Sequence, residues 1–317
     1  SKRSIGDGDA TATKPTAKFG TMSVSDHYDA AAANYHKQYE EETLRDLGQE
    51  YPANYFRLKL LLKSFKENSI KRTIEVGVGE GTPLSTLAKE GIEVSGFDIS
   101  HAMVKRAKES IAATGQNPDN IIWGDVQDRT SYQPLLAGGL FDGLMAMGVM
   151  PHVEDDDLCL RNMKDMIKPN GMVFIEFRNS LFSLFTFNRY THEFIMDELL
   201  SGVSSEVKNT VDAFLRSKLE MSLPVQRDVI EDNPNAVGYD AILSKFHNPL
   251  TITKKFEELG FIDVELLWYH FHPAMPHLSA GIESEYREEA IQLESFSDDW
   301  RGMFLCSAFV VQARKPA

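Results

Sequence analysis

Cysteine and long apolar runs are both scarce in this sequence. Only Cys159 and Cys306 occur in its 317 residues, each in an apolar context, which favours two buried thiols in a reducing compartment over a disulfide. No uninterrupted apolar stretch approaches the ~20 residues that a membrane-spanning helix needs, and the first residues lack the apolar segment of a secretory signal. We therefore predict a cytoplasmic protein without a membrane partner.

Positive charge is also in short supply. Lys and Arg total 33 against 47 Asp and Glu, and the formal net charge is -14. Proteins that bind nucleic acid gain affinity by neutralising phosphates with Lys and Arg, and no run of these residues follows the N-terminal segment. We predict no nucleic-acid partner, and the sequence does not define an oligomeric state. The 42% hydrophobic and 25% charged composition is typical of a globular protein.

From residue 71 onward, short apolar runs alternate with helical patterns. This alternation predicts an α/β fold with a doubly wound, mostly parallel sheet. The predicted strands are 73–76, 93–98, 121–123, 141–147, 172–177, 261–269 and 304–312. The predicted helices include 83–89, 100–112, 155–167, 194–200, 205–219 and 251–259.

Two segments interrupt this alternation and are interpreted as insertions. The N-terminal residues are rich in Ser, Thr, Gly, Asp and Lys, which is typical of a disordered tail. The predicted divisions are the tail (1–25), N-terminal helices (26–70), a ligand-binding core (71–179), a helical and aromatic cap insertion (180–250), and the C-terminal part of the sheet (251–317) with a second insertion (273–301).

A glycine-rich turn, Glu75-Val-Gly77-Val-Gly79-Glu-Gly81, separates the first predicted strand from the following helix. Glycines allow the backbone to turn tightly and to approach a ligand without interference from Cβ. Position 82 is Thr, so the dinucleotide fingerprint G-x-G-x-x-G is not met. Glu75 at the strand end would repel a pyrophosphate and suit an ammonium group, which disfavours an NAD(P)-dependent dehydrogenase.

Two further carboxylates follow the next strands. Asp98 ends the second strand, where it can accept hydrogen bonds from both hydroxyls of a ribose, and Asp125 follows the third, where it can accept one from an adenine amino group. Each alone is explained as a surface carboxylate. Together with Glu75 they share the carboxyl edge at which doubly wound sheets bind ligands, which favours a site.

These motifs resemble those of the class I S-adenosylmethionine-dependent methyltransferases. That resemblance implies a seven-stranded, mostly parallel sheet, the cofactor S-adenosyl-L-methionine and the product S-adenosyl-L-homocysteine. The matching segments are Glu75-x-Gly77-x-Gly79-x-Gly81, Gly96-Phe-Asp98-Ile-Ser100-x-x-Met103, Gly124-Asp125-Val126 and Phe141-Asp142-Gly-Leu-Met-Ala-Met147.

The resemblance also implies contacts for individual residues. Tyr28 and Tyr35 resemble an N-terminal segment that closes over the cofactor in many relatives, although packing along a helix face explains them equally well. The other implied contacts are Asp98 with the ribose, Ile99 and Met103 beside the adenine, Asp125 and Val126 at the adenine edge, and Met147 near the methionine part.

Candidate acceptor-side residues follow the fourth and fifth strands. His152 is the candidate general base, because it lies just past the fourth strand; a local pairing with the acidic run that follows is the alternative. Glu176 and Arg178 end the fifth strand on one face. Arg178 suits a carboxylate or phosphate of the substrate, and a structural salt bridge explains it equally well.

Aromatic and histidine residues in the two insertions are candidates for substrate binding. Tyr190 and His192 lie in the first insertion, while His270 and His272 point the same way if their segment is extended. Imidazoles on one face can bind a metal, but no regular ligand spacing completes such a site, so no metal is predicted.

The resulting hypothesis is methyl transfer to a nitrogen or oxygen atom of a small polar metabolite, with a nucleotide-linked sugar as a special case. A nucleic-acid methyltransferase is disfavoured, because Met147-Gly-Val-Met stands where such enzymes carry Asn/Asp-Pro-Pro-Tyr/Phe. A non-catalytic regulatory module that binds the same cofactor, or an NAD(P)-dependent oxidoreductase, is the alternative.

Overall fold

The computed structural model describes residues 43–223 and 245–317. The strands are β1 (Arg72–Val76), β2 (Glu93–Asp98), β3 (Ile121–Trp123), β4 (Phe141–Ala146), β5 (Ile167–Arg178), β6 (Ile262–Phe271) and β7 (Cys306–Arg314). The helices are α1 (Ala53–Glu67), α2 (Thr82–Lys89), α3 (His101–Ala112), α4 (Arg129–Tyr132), α5 (Asp156–Asp165), α6 (Ser183–Thr186), α7 (Arg189–Glu193), α8 (Ser205–Lys218), α9 (Pro249–Glu258), α10 (Glu283–Leu293) and α11 (Gly302–Leu305).

The strands form a seven-stranded sheet in the order β3-β2-β1-β4-β5-β7-β6. β1 to β5 pair in parallel, while β7 runs antiparallel to both β5 and β6. Parallel neighbours need crossover connections, and these place helices on the sheet faces. The predicted doubly wound, mostly parallel α/β fold is confirmed.

Side chains of the central strands alternate between two apolar cores, one on each face of the sheet. Ile175 and Phe177 of β5 belong to one core, and Phe174 belongs to the other. α1 packs on the second face through Leu61 and Phe65. Because α1 crosses this face, the residues of its first turns lie near the end of the sheet that carries the glycine-rich turn.

Local hydrogen bonding moved several boundaries away from the sequence prediction. The helix predicted at 155–167 ends at Asp165, because Ile167 already pairs with Phe141 at the start of β5. The last strand begins at Cys306 rather than Phe304, because Phe304 lies in α11.

The segment Phe194–Leu199, predicted as part of an α-helix, is a π-helix. The N–H of Leu200 donates to the carbonyl of Ile195, five residues earlier. Helix periodicity in the sequence does not distinguish these two hydrogen-bonding patterns.

The predicted insertions contain helices of their own. α6, α7 and α8 lie within 180–250, and α10 lies within 273–301. Residues 1–42, which include the predicted tail, and residues 224–244 of the predicted cap lie outside the described residues. The division of the chain therefore stays a prediction.

Cys159 and Cys306 are buried and free, as predicted. Within residues 43–223 and 245–317, no helix combines the length and the apolar character needed to cross a membrane.

Candidate active site

A cavity lies at the carboxyl ends of β1, β2 and β4, where doubly wound sheets bind ligands. Its volume is about 890 Å³, counting the part open to solvent, which is typical of sites for small molecules and cofactors. The predicted cofactor residues that line it are Glu75, Gly77, Gly79, Asp98, Ile99, Met103, Asp125, Val126 and Met147.

The glycine-rich turn brings two loops and two helices close together. A Cβ on Gly77, whose φ is +71°, would lie 2.5 Å from a methyl of Val149 in the loop after β4. Gly81 begins α2 at φ +92°, and its Cβ would lie 3.0 Å from the Cα of Ala107 in α3. Gly81 is not among the described residues that line the cavity, and its predicted cofactor contact stays a prediction.

Asp98 is held in place by the backbone on both sides. Its Oδ2 accepts the Gly79 N–H at 2.9 Å, and its Oδ1 accepts the Ser100 N–H at 2.8 Å. The Ser100 hydroxyl in turn accepts the Met103 N–H and so caps the N-terminus of α3. A carboxylate fixed in this way retains lone pairs for two hydroxyl donors.

Glu75 is the most deeply buried carboxyl group of the cavity, with 2% of its surface exposed. Its Oε2 has no hydrogen-bond partner among the described residues. Burial raises the pKa of Glu75 well above its usual range; Arg57 counteracts this rise, and Asp98 adds to it. A buried acceptor without a partner fits a ligand that brings a cationic donor.

Asp125 lies in the loop after β3 and is about half buried. Its Oδ1 accepts the Gln127 N–H at 2.9 Å, and its own N–H donates to the Ser131 hydroxyl. Burial raises the pKa of Asp125, and the hydrogen bond from Gln127 partly offsets the rise. This position suits hydrogen bonding to the edge of a planar base.

Arg57 of α1 is a cavity residue that the sequence analysis missed. It is the one Lys or Arg among the described residues that line the cavity, and only 7% of its surface is exposed. The sequence did contain a signal for a buried charge. Arg57 lies on the apolar face of α1, one turn before Leu61 and two turns before Phe65. A charged residue in such a stripe indicates a specific partner.

The loop after β4 carries the candidate general base into the cavity. His152 lines the cavity, is buried, and ends the short turn Met150–His152. The backbone N–H of His152 donates to the backbone carbonyl of Val149, which also lines the cavity. The geometry is therefore compatible with contact between His152 and an acceptor.

Glu176 and Arg178 are not among the described residues that line the cavity. Glu176 Oε2 accepts the Gly148 N–H and lies 3.9 Å from Arg57 Nη1. Arg178 is half-buried, and its backbone carbonyl accepts the N–H of His247. Their predicted contact with the acceptor stays a prediction.

The predicted substrate residues of the cap form contacts within the protein. Tyr190 is buried in the cap, and His192 Nε2 lies 2.6 Å from Asp212 Oδ1. His247 Nε2 lies 2.7 Å from Asp156 Oδ2. Among the described residues, no group of three or more His, Cys, Asp or Glu is arranged to hold a metal ion.

His270 and His272 belong to a column of four stacked rings. Tyr51 stacks on His270 at 5.1 Å, His270 on His272 at 4.8 Å, and His272 on Phe182 at 4.5 Å between ring centroids. His270 adopts a left-handed φ of +62°, and His272 lies 3.2 Å from the Ser307 hydroxyl. Burial lowers the pKa of His272 well below its usual value, and His270 lowers it further.

These four predicted substrate residues, Tyr190, His192, His270 and His272, are not among the described lining of the cavity, and their predicted role is untested. Tyr28 and Tyr35 lie outside the described residues, so their predicted closure over the cofactor also stays a prediction.

Comparison with known proteins points to one family. Residues 74–175, from β1 to β5, match a methyltransferase domain model. The ubiquinone biosynthesis O-methyltransferase of Vibrio parahaemolyticus is 24% identical over 69% of this chain and 95% of its own length. The Brucella anthropi protein of the same name is 31% identical over 33% of this chain and 40% of its own length.

A solved structure described as a SAM dependent methyltransferase from Archaeoglobus fulgidus aligns at 18% identity with a TM-score of 0.43. The alignment covers 82% of this chain and 96% of that one. The domain matched by the family model carries Glu75, Asp98, Asp125 and the loop with His152. Residues 74–175 therefore form a methyltransferase domain, and the cofactor of this domain is S-adenosylmethionine.

Proposed function

We propose that this methyltransferase moves the methyl group to an oxygen atom of a small polar metabolite, with nitrogen as the second candidate. The observation that carries the proposal is the order of polar groups along one cavity. Glu75 and Asp98 lie at the carboxyl ends of β1 and β2, Asp125 follows β3, and His152 follows β4, the other neighbour of β1. The nucleoside and amino-acid parts of the cofactor fit the three carboxyl groups, which leaves the His152 end for the acceptor.

The cofactor end is assigned residue by residue. Asp98 would hold the ribose, and Glu75 would accept from the ammonium group through its free Oε2. Arg57 would bind the carboxylate of the same amino-acid part, because guanidinium groups bind carboxylates through paired hydrogen bonds. The remaining contacts are Ile99 and Met103 beside the adenine, Asp125 and Val126 at its edge, and Met147 near the methionine part.

The bound cofactor supplies a methyl group on a sulfonium, which is already electrophilic. The protein then has to align the acceptor and exclude water, and alignment alone contributes about 7–11 kcal/mol in favourable models. His152 is proposed to remove the proton of an acceptor hydroxyl, for which an imidazole has a suitable pKa range.

Oxygen is favoured over nitrogen by the names of the sequence relatives, which are O-methyltransferases of ubiquinone biosynthesis. A hydroxyl acceptor also explains a general base at His152, because a hydroxyl has to lose its proton, whereas a neutral amine can attack without a base. Arg178 and Glu176 stay candidates for contact with the polar part of the acceptor, as do Tyr190, His192, His270 and His272.

Transfer of a labelled methyl group from S-adenosylmethionine to panels of small hydroxyl and amine acceptors tests the proposal. We expect turnover with a hydroxyl compound, and calorimetric binding of S-adenosylhomocysteine. Turnover only on amines would show that the acceptor atom is nitrogen and not oxygen. Cofactor binding without turnover on any acceptor would favour the non-catalytic regulatory alternative.

The role of His152 is tested by His152→Gln. We expect kcat to fall by about 100-fold, because general bases typically contribute at least this much, while the Kd for S-adenosylhomocysteine changes little. The control is His277→Gln, since His277 lies in the second predicted insertion and outside the cavity lining. An unchanged kcat in His152→Gln would remove the proposed base.

A further inference from the structure

Four buried polar residues from four separate elements meet beside the cavity. Arg57 comes from α1, Glu75 from β1, Glu176 from β5 and Tyr269 from β6. Their exposed fractions are 7%, 2%, 4% and 4%. Arg57 lies near both carboxylates, since it is 3.9 Å from Glu176 and acts electrostatically on Glu75.

The register of the sheet places Tyr269 close to this group. Ala308 of β7 pairs with Arg178 of β5 on one side and with Tyr269 of β6 on the other. Tyr269 also belongs to the same apolar core as Phe65 of α1, so its ring lies on the face that α1 covers. Its hydroxyl interacts with the Arg57 guanidinium and the Glu176 carboxylate.

Glu176 joins this group to the loop after β4. The same Oε2 atom that faces Arg57 accepts the N–H of Gly148. Gly148 adopts φ +71° and directly precedes Val149, so its orientation sets the course of the segment that carries His152. Glu176 therefore contacts Arg57, at the proposed cofactor end of the cavity, and Gly148, in the loop that carries His152.

A buried guanidinium needs fixed partners, because an unpaired charge in the interior is costly. Its N–H groups form a rigid planar fork, so partners on one side determine where the remaining N–H groups point. The Arg57 side chain lines the cavity, and Glu176 and Tyr269 contact it from the wall. This arrangement orients an otherwise flexible side chain toward a ligand.

We propose that Tyr269 and Glu176 are positioning residues that orient Arg57 and thereby set the preference of the site for a ligand bearing a carboxylate. The proposal rests on the proposed function, in which Arg57 binds the carboxylate of the cofactor. Neither residue is assigned contact with the reacting atoms. Tyr269 acts through Arg57, and Glu176 acts through Arg57 and Gly148.

The test compares two ligands that differ only in the carboxylate, S-adenosylmethionine and its decarboxylated analogue. In the wild-type protein we expect the carboxylate-bearing ligand to bind more tightly by calorimetry. In Tyr269→Phe its affinity should fall by about tenfold, the usual effect of losing a hydrogen bond to a charged group, while the decarboxylated ligand is little affected. Glu176→Gln should reduce the same preference.

The matched control is Tyr132→Phe. Tyr132 is also a buried tyrosine, but its hydroxyl has no hydrogen-bond partner within the described part of the chain, and its ring stacks on Phe97 at 4.8 Å. We expect this variant to retain the wild-type preference between the two ligands. If Tyr269 had only a structural role, Tyr269→Phe would weaken the binding of both ligands equally. That result would overturn the proposal.

A double-mutant cycle with Arg57→Met adds a second readout. Arg57→Met should abolish the preference, and Tyr269→Phe should then have no further effect, because both act on the same contact. If the wild-type protein binds neither ligand, the proposed function itself is wrong. If it prefers the carboxylate and Tyr269→Phe retains the full preference, only the positioning role is wrong.

Discussion

The cavity and the region around the cap use their polar side chains differently. At the cavity, carboxyl groups turn toward the space for a ligand: backbone N–H donors hold Asp98, and Glu75 Oε2 has no hydrogen-bond partner among the described residues. Around the cap, histidines pair with carboxylates. His192 pairs with Asp212, and His247 pairs with Asp156.

This contrast separates residues that bind a ligand from residues that stabilise the fold. A buried acceptor without a partner, such as Glu75 Oε2, is costly unless a ligand supplies a donor. A histidine already paired with a carboxylate stabilises the structure without any ligand. We therefore expect substitutions of Asp98 and Glu75 to change cofactor binding, and substitutions in the two histidine–carboxylate pairs to change stability.

The largest effect is expected from Asp98→Ala. The variant loses the acceptor for the ribose and also the two backbone N–H partners that shape the turn. Two charge-assisted hydrogen bonds to a ligand together justify an increase of at least about 100-fold in the Kd for S-adenosylhomocysteine. Asp98→Asn, which retains one acceptor oxygen, should give an intermediate value by calorimetry. A Kd within about threefold of wild type in Asp98→Ala would contradict the assignment.

An intermediate effect is expected from Glu75→Gln, together with a change in pH dependence. Burial raises the pKa of Glu75, so its carboxyl group retains a proton at a pH where an exposed glutamate is ionised. A cationic ligand favours the ionised form, so binding releases a proton and affinity for S-adenosylmethionine rises with pH up to that pKa. Calorimetry in buffers of different ionisation enthalpy measures this release, which Glu75→Gln should abolish.

The same carboxyl group of Glu75 makes stability fall with rising pH, whereas it makes cofactor affinity rise. Since the folded-state pKa lies above the unfolded one, the folded protein binds more protons, and its unfolding free energy falls as pH rises between the two values. Glu75→Gln should remove this fall and bind S-adenosylmethionine about tenfold more weakly, as expected for loss of one charged hydrogen bond. A variant with the wild-type pH profile for both properties would contradict this role.

The smallest effect on binding is expected from Asp156→Asn. Although burial raises the pKa of Asp156, hydrogen bonds from His247 and Lys245 outweigh it and hold the pKa at about 2. The stabilisation is present above the unfolded pKa and is lost as pH falls from about 4 to about 2.

The variant should lower the unfolding free energy by about 2 kcal/mol at neutral pH, measured by urea titration. The Kd for S-adenosylhomocysteine should stay within about twofold of wild type. A large loss of cofactor affinity without loss of stability would contradict the distinction between the cavity and the region around the cap.

The same contrast explains what the sequence could predict. Asp98, Glu75 and the glycine turn belong to short contiguous motifs whose geometry is fixed by a strand end and the turn after it, so spacing alone was informative. His192 could not be interpreted in this way, because its partner Asp212 lies on another helix. Arg57 had one sequence signal, its place on the apolar face of α1, but its contacts Glu176 and Tyr269 lie far along the chain and could not be predicted.

Backbone geometry was also beyond the sequence in the second half of the chain. The left-handed φ of His270 is not visible in the sequence pattern, although its ring still lies beside that of His272, as alternation predicted. The mostly parallel pairing of the sheet was easier to predict, since alternating strands and helices leave few topologies. The π-helix at Phe194–Leu199 differs from an α-helix only in hydrogen bonding.

The column of stacked rings has a consequence for exchanging parts of this enzyme with relatives. Tyr51 precedes α1, His270 lies at the end of β6, His272 directly follows that strand, and Phe182 lies at the start of the predicted cap. A transplanted cap that lacks an aromatic ring at position 182 would leave the His272 ring stacked on His270 alone, however well the new cap suited a different acceptor. Chimeras that exchange both flanking segments as a unit should therefore fold more readily than those that exchange the cap alone.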